Sequence, residues 1–167
     1  MAGRPTALVL TVSDRGAAGD REDVTGVGLA ARLAELGFVV ERAIVPDERA
    51  LIEAALVAGA ERHPLVVTTG GTGLTPRDVT PQATLAVIEY EIPGFAEAMR
   101  ADGRVATPMA ILSRAVVGVR GRSLIVNVPG SPRGALQSLA SLEPVLGHAL
   151  ETLGGPFEHD GRPDPGA

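Results

Sequence analysis

The segment Thr68-Thr69-Gly70-Gly71-Thr72-Gly73-Leu74-Thr75-Pro76-Arg77-Asp78 concentrates the residue types that handle anions. Glycines without bulky neighbours let backbone N–H groups approach an anion, and they tolerate the positive φ that such a concavity needs. Arg77 adds a fixed positive charge, and Asp78 adds a hard carboxylate suited to Mg²⁺. The segment follows the apolar run Leu65-Val66-Val67 and leads into a helical stretch opening at Thr80-Pro81. Strand, anion-cradling loop, helix is the order in which α/β proteins hold phosphates. A plain glycine turn accounts for Gly-Gly-Thr-Gly taken alone, but less readily for all eleven residues.

Composition removes several chemistries. Cysteine is absent, which excludes disulfides, thiolate metal sites and thiol nucleophiles. Lysine is absent too, so there is no Schiff base and no Walker A ending after Gly73. The Rossmann fingerprint fails because position 76 is proline where a third glycine is needed. Net charge is −5 and the arginines are scattered, so a nucleic-acid partner is not expected. His63, His148 and His159 have no metal-ligand or triad-like neighbours in sequence. No apolar run reaches the ~20 residues of a membrane span, and no signal-peptide pattern opens the chain. A cytoplasmic location with no membrane partner is the resulting expectation.

The elements that must position the loop follow from periodicity. With 167 residues, 45% of them hydrophobic and only 2% aromatic, the core has to be aliphatic. Residues 6–12 read as a buried strand, followed by a polar loop over 13–23. Leu29, Leu33 and Leu36 recur at helical spacing before Gly37, and 38–45 reads as a second strand closed by Pro46-Asp47. Residues 48–60 form an amphipathic helix and 65–69 the third strand. Thr80 is the expected cap of a helix running to about residue 90, with proline at its first position. Pro93-Gly94 then opens a shorter helix through Arg100. Residues 115–119 and 123–128 read as a hairpin, and 134–153 as the last helix. The expectation is a three-layer α/β/α fold with a mainly parallel sheet plus a β-hairpin near the C-terminal end. Residues 1–156 form its single domain and 157–167 a flexible tail.

Loops leaving the carboxyl ends of parallel strands share one edge. Asp14, Asp47 and Asp78 each stand at or near such an exit, so they are expected to converge although more than thirty residues separate them. Taken singly, each is more often a helix cap or a turn residue.

Further ordered motifs accompany the loop: Ser13-Asp14-Arg15, Asp23, Thr25-Gly26, Pro93-Gly94-Phe95, Ala110-Ile111-Leu112-Ser113-Arg114 and Val126-Asn127-Val128-Pro129-Gly130-Ser131-Pro132. Together with Thr69–Gly73 and Arg77–Pro81 they resemble the molybdenum cofactor biosynthesis domain. That domain occurs in bacterial Mog and MoaB proteins and in the G domain of gephyrin. The resemblance spans about residues 6–153, and Pro46-Asp47-Glu48 with Pro93-Gly94-Phe95 favours the Mog branch. It departs near Arg21, where the family often has tyrosine, and it lacks an insertion that some Mog proteins carry before the last helix.

The resemblance implies adenylylation of molybdopterin: the pterin's terminal phosphate attacks the α-phosphorus of ATP and pyrophosphate leaves. It implies Mg²⁺ with ATP as co-substrate, and Asp78 and Asp47 as the catalytic pair that also holds the metal. Ser13, Asp14, Gly70, Gly71, Thr72, Gly73, Arg77, Thr80, Ser113, Pro129, Gly130 and Ser131 are then the substrate- and nucleotide-binding positions. A homotrimer, and hand-over of product to the molybdenum-inserting enzyme, belong to the same expectation. A MoaB-type protein that binds the pterin without catalysis is the alternative. Relatives in nicotinamide- or flavin-nucleotide metabolism, and a pure interaction module, are more distant ones.

Overall fold

The computed structural model describes residues 3–156. One six-stranded sheet runs in the order β2-β1-β3-β6-β5-β4. Its strands are β1 (Thr6–Val12), β2 (Val39–Val45), β3 (Leu65–Thr69), β4 (Tyr90–Glu91), β5 (Val117–Arg120) and β6 (Ser123–Val128). The pairs β1/β2, β1/β3 and β3/β6 are parallel, while β5/β6 and β4/β5 are antiparallel. Between and after them lie α1 (Asp14–Ala17), α2 (Val24–Glu35), α3 (Arg49–Arg62), α4 (Thr80–Val87), α5 (Pro93–Ala106) and α6 (Pro132–Gly154). The architecture is the mainly parallel three-layer sheet with a late hairpin that the periodicity predicts.

Side chains alternate across the pleat and divide the core in two. Ala7, Val9, Leu65, Val67, Leu124 and Val126 face α2, α5 and α6, meeting Leu29, Leu33, Met99, Leu139 and Leu142. Leu8, Leu10, Val12, Val66 and Ile125 face α3 and α4, meeting Ile52, Leu56, Ala83 and Val87. Both faces are covered, which is why β3 and β6 are buried at every position. β2 carries Glu41 and Arg42 on the open edge, charges that discourage pairing with another strand.

The chain goes from β1 to β2 through α2 on one face and returns to β3 through α3 on the other. β1 thus lies between β2 and β3, and a crevice opens at the carboxyl ends of β1 and β3, where the winding reverses.

Four expectations are corrected. The 13–23 segment is not wholly irregular: Ser13 accepts the Gly16 N–H at 3.0 Å and caps the single turn of α1. Thr80 is not a cap, since α4 begins at Thr80 itself with Val79 before it. The Thr80 hydroxyl is instead drawn to the Gly70 carbonyl at 2.9 Å. α4 also stops at Val87, because Glu89 N–H and Ile92 N–H pair with Val119 and Val117 and convert Tyr90–Glu91 into an edge strand. α5 is longer than expected, since its pattern of Ala96, Met99 and polar residues carries on to Ala106, where a 3-10 turn (Pro108–Leu112) follows. The segment expected to be a flexible tail, 157–167, lies outside the described residues.

Candidate active site

Glycine at 70 and 71 is a geometric necessity. Gly70 has φ +96° and Gly71 φ +68°, a region that disfavours side chains. A β-carbon on Gly70 would collide with the Val12 carbonyl, and one on Gly71 with the Thr80 hydroxyl. Gly70 therefore lies directly on the exit of β1. From the other side Gly130 presses against it, with the Gly70 Cα 3.3 Å from where a Gly130 β-carbon would stand. The Gly70 N–H donates to Val128 O at 3.3 Å, and the Thr69 hydroxyl donates to Pro129 O at 2.7 Å. The Thr25 hydroxyl reaches Gly130 O at 2.8 Å, tying α2 to the same ridge.

This ridge separates two cavities. The larger, about 620 Å³, carries the acidic side chains and takes in Ser13, Asp23, Asp47, Gly70, Gly71, Asp78 and Gly130. The smaller, about 310 Å³, is mostly apolar, with Met99, Met109, Leu112 and Ala115 beside Thr72, Gly73, Ser113 and Pro129. Ser131 borders both.

The three aspartates converge in part. The Asp14 N–H donates to Asp47 Oδ2 at 2.8 Å, and the Asp47 N–H donates to Asp14 Oδ1 at 2.9 Å. Asp14 also takes a forked pair from Arg77, with Nη2 at 2.8 Å and Nε at 3.1 Å. Those bonds, Arg77 foremost and the Asp47 N–H second, hold the Asp14 carboxyl below the usual aspartate range. Arg77, expected to face a phosphate, is engaged with Asp14. Asp47 shows the opposite shift. Burial pushes its carboxyl above the usual range, and the charges of Asp14 and Asp78 add to that; the Asp14 N–H and Arg77 oppose it. Asp78 enters the same cavity with Oδ2 accepting from the Thr75 N–H at 2.9 Å and from the Thr75 hydroxyl at 2.8 Å. Oδ1 of Asp47 and Oδ1 of Asp78 accept none of these hydrogen bonds.

The remaining expected residues divide between the two sides. Ser13, Gly70, Gly71 and Gly130 belong to the acidic cavity; Thr72, Gly73, Ser113 and Pro129 belong to the apolar one. Thr80 lies behind the loop and supports it. His63 stands away from the site, held between Thr6 and Glu41 where β1 begins.

Several structural supports had no assigned role in the sequence reading, although they stand in its motifs. Asp23 accepts the Thr11 hydroxyl at 2.9 Å and the Gly26 N–H at 2.9 Å, closing the first loop. Asn127 is fully buried, with Nδ2 donating to the hydroxyls of Thr68 and Thr84, both at 2.9 Å, and Oδ1 accepting the Val116 N–H at 3.1 Å. It joins β3, α4 and the approach to β5 beneath the glycine loop. A polar residue inside an apolar strand run was the available signal.

A glycine loop and neighbouring carboxylates thus stand at the switch point of a doubly wound α/β sheet, the place where such domains bind their ligands. Residues 8–148 match the family described as the probable molybdopterin binding domain, and the chain belongs to that family. It is 40% identical over 156 residues to the molybdopterin adenylyltransferase of Helicobacter pylori, covering 89% of this chain and 88% of that protein. Among solved structures it is similar to the molybdopterin biosynthesis enzyme MoaB of Thermus thermophilus, at 48% identity and TM-score 0.85, covering 92% of this chain and 99% of that one. The molybdopterin biosynthesis Mog protein of Mycobacterium ulcerans superposes equally well, at TM-score 0.86 and 39% identity, covering 93% and 99%. Both branch names thus attach to the same backbone.

Proposed function

We infer that this chain is an enzyme of molybdenum cofactor biosynthesis that transfers the adenylyl group of ATP to molybdopterin. In the balanced step, an oxygen of the pterin's terminal phosphate forms a bond to the α-phosphorus of ATP. The bond from that phosphorus to the bridging oxygen breaks, and pyrophosphate carries away the electron pair. The carrying observation is that Asp47 and Asp78 line one cavity together with Gly70 and Gly71. Such a step needs placement and charge neutralisation but no protein nucleophile. That suits a chain without cysteine or lysine whose His63 is tied to Thr6 and Glu41.

Asp47 and Asp78 are the residues that would hold Mg²⁺, which supplies charge neutralisation on the triphosphate when bound. The donor set fits. Each carboxylate keeps Oδ1 outside the hydrogen bonds described, and a cation would offset the burial and, after it, the neighbouring carboxylate charges that raise Asp47. Among the described residues no group of three or more carboxylates or histidines forms a closed metal site. Two carboxylates completed by phosphate oxygens and water are the usual protein share for magnesium. Ser13, Gly70, Gly71 and Gly130 would serve the nucleotide phosphates, with the Asp14–Arg77 ion pair bracing the loops beside them. Thr72, Gly73, Ser113, Pro129 and Ser131 would line the place of the second reactant.

The trimer belongs to the same reading. Val105, Met109 and Ile111 are 90%, 61% and 59% exposed, a run of apolar side chains at the end of α5 and in the 3-10 turn that a second copy would cover. No helix among the described residues is long and apolar enough to cross a membrane. The need for ATP supports a cytoplasmic reaction. The product would pass to the enzyme that inserts molybdenum.

Incubation with molybdopterin, ATP and Mg²⁺ tests the reading, following AMP-molybdopterin and pyrophosphate. Formation of both, dependent on magnesium, is the expected result. Tight pterin binding without either product would replace it with the carrier reading.

A further inference from the structure

Residues 74–77 of the loop that carries Asp78 are all exposed, so packing does little to fix its shape. Hydrogen bonds do that instead, and one side chain supplies those at both ends. Arg114 Nε donates to Gly73 O at 2.8 Å, and Nη2 donates to Asp78 O at 2.6 Å. Nη1 reaches Gln82 Oε1 on α4 at 3.3 Å, and the Arg114 backbone N–H donates to Thr72 O at 3.0 Å. The two ends of the 73–78 excursion are thereby held to one rigid plane. Within the excursion Asp78 N–H returns to Thr75 O at 3.0 Å, and the Asp78 carboxylate binds Thr75. Arg114 forms none of the ion pairs among the described residues; its donors go to carbonyl and amide oxygens.

We propose that Arg114 is a positioning residue for adenylyl transfer, whose guanidinium grips the carbonyls of Gly73 and Asp78 and so sets where the Asp78 carboxylate stands over the acidic cavity. This rests on the reading of the preceding subsection. A lysine keeps the charge but not the planar fork that spans two carbonyls and an amide at fixed angles, so arginine is needed for its shape. Arg114 also follows Ser113, which lines the apolar cavity, so the same residue ties the walls of both cavities to one loop. A displacement of about 1 Å at a reacting centre costs on the order of a hundredfold in rate, which is the scale on which such a tie acts.

The test compares the full chain with R114A and R114K. It measures kcat, KM for ATP, thermal unfolding, and hydrogen exchange at the Thr75 amide without ligand, each with and without millimolar guanidinium. For R114A we expect a kcat about a hundredfold lower with KM changed far less. Loss of protection at Thr75 with β1 amides still protected is expected too, along with recovery of both properties on adding guanidinium. R114K retains the stem and the charge and guards against a folding failure in R114A; it should fall about tenfold and recover nothing. Wild-type turnover in R114A, or lost activity with Thr75 protection intact, overturns the proposal. If the unaltered protein forms no AMP-molybdopterin, the adenylylation reading fails. Exchange at Thr75 and its recovery by guanidinium then still decide whether Arg114 sets the loop.

Discussion

Asp14 and Asp47 hold one another by the backbone, each N–H donating to the other's carboxylate at 2.8 and 2.9 Å. The exchange clips together the loops leaving β1 and β2, thirty-three residues apart in sequence. It leaves the two carboxylates unequal. Asp14 is further neutralised by Arg77, whereas Asp47 is left half-buried beside Asp78 with its proton affinity raised. Of the pair, Asp47 is the one that the proposed reading assigns to a cation.

Asp78→Asn retains the size of the side chain and one acceptor for Thr75, so folding should be unaffected. Turnover should fall about a hundredfold through loss of charge at the triphosphate. Initial rates beside a thermal unfolding curve check this, and an active Asp78→Asn would remove Asp78 from the mechanism.

The acid limb of kcat/KM should lie above the ordinary aspartate range, since Asp47 must be ionised to act and its pKa is raised, by burial first. Asp14→Asn removes a neighbouring negative charge and releases Arg77, so the limb should move to lower pH. A pH–rate profile that does not move would show that another group titrates. Stability follows linkage with opposite signs at the two residues. A raised Asp47 makes the native chain bind a proton more readily than the unfolded chain, so its contribution is lost as pH rises through the raised value. The lowered Asp14 contributes above its unfolded value and loses that contribution as pH falls.

Asn127→Ala should destabilise the domain by about 3 kcal/mol, because it strips partners from Thr68, Thr84 and the Val116 N–H in a fully buried place. Urea unfolding at constant m-value measures it. A loss below about 1 kcal/mol would mean that the hydroxyls find other partners.

Ile111→Glu places a charge in the exposed apolar run without touching either core. The unaltered protein should sediment at three times the chain mass and the variant at one. A monomeric unaltered protein would dismiss the trimer.

Much of this was legible in the sequence. The buried strands at 6–12, 65–69 and 123–128 are short β-rich apolar runs, and such runs depend little on context. The Asp14–Asp47 convergence followed from parallel topology, which sends strand ends to one edge. The misread elements were those decided by distant partners. Thr80 has a good cap's chemistry, yet the Gly70 carbonyl claims its hydroxyl. Tyr90 continues a helical pattern, yet it pairs with Val119 on β5. Nor does any local spacing announce that Arg114 clasps Gly73 and Asp78, forty-one and thirty-six residues earlier.

The ridge between the cavities is built from chain segments made far apart in time. Thr69 and Gly70 lean on Val128 and Pro129, and Thr25 leans on Gly130. A nascent chain that has emerged only as far as β5 has its glycine loop and all three aspartates, but it lacks the contacts from Val128, Pro129 and Gly130 that complete the ridge. The wall between the two cavities is therefore complete only once β6 lies beside β3. On the adenylyl-transfer reading, a fragment that ends before β6 should form no product.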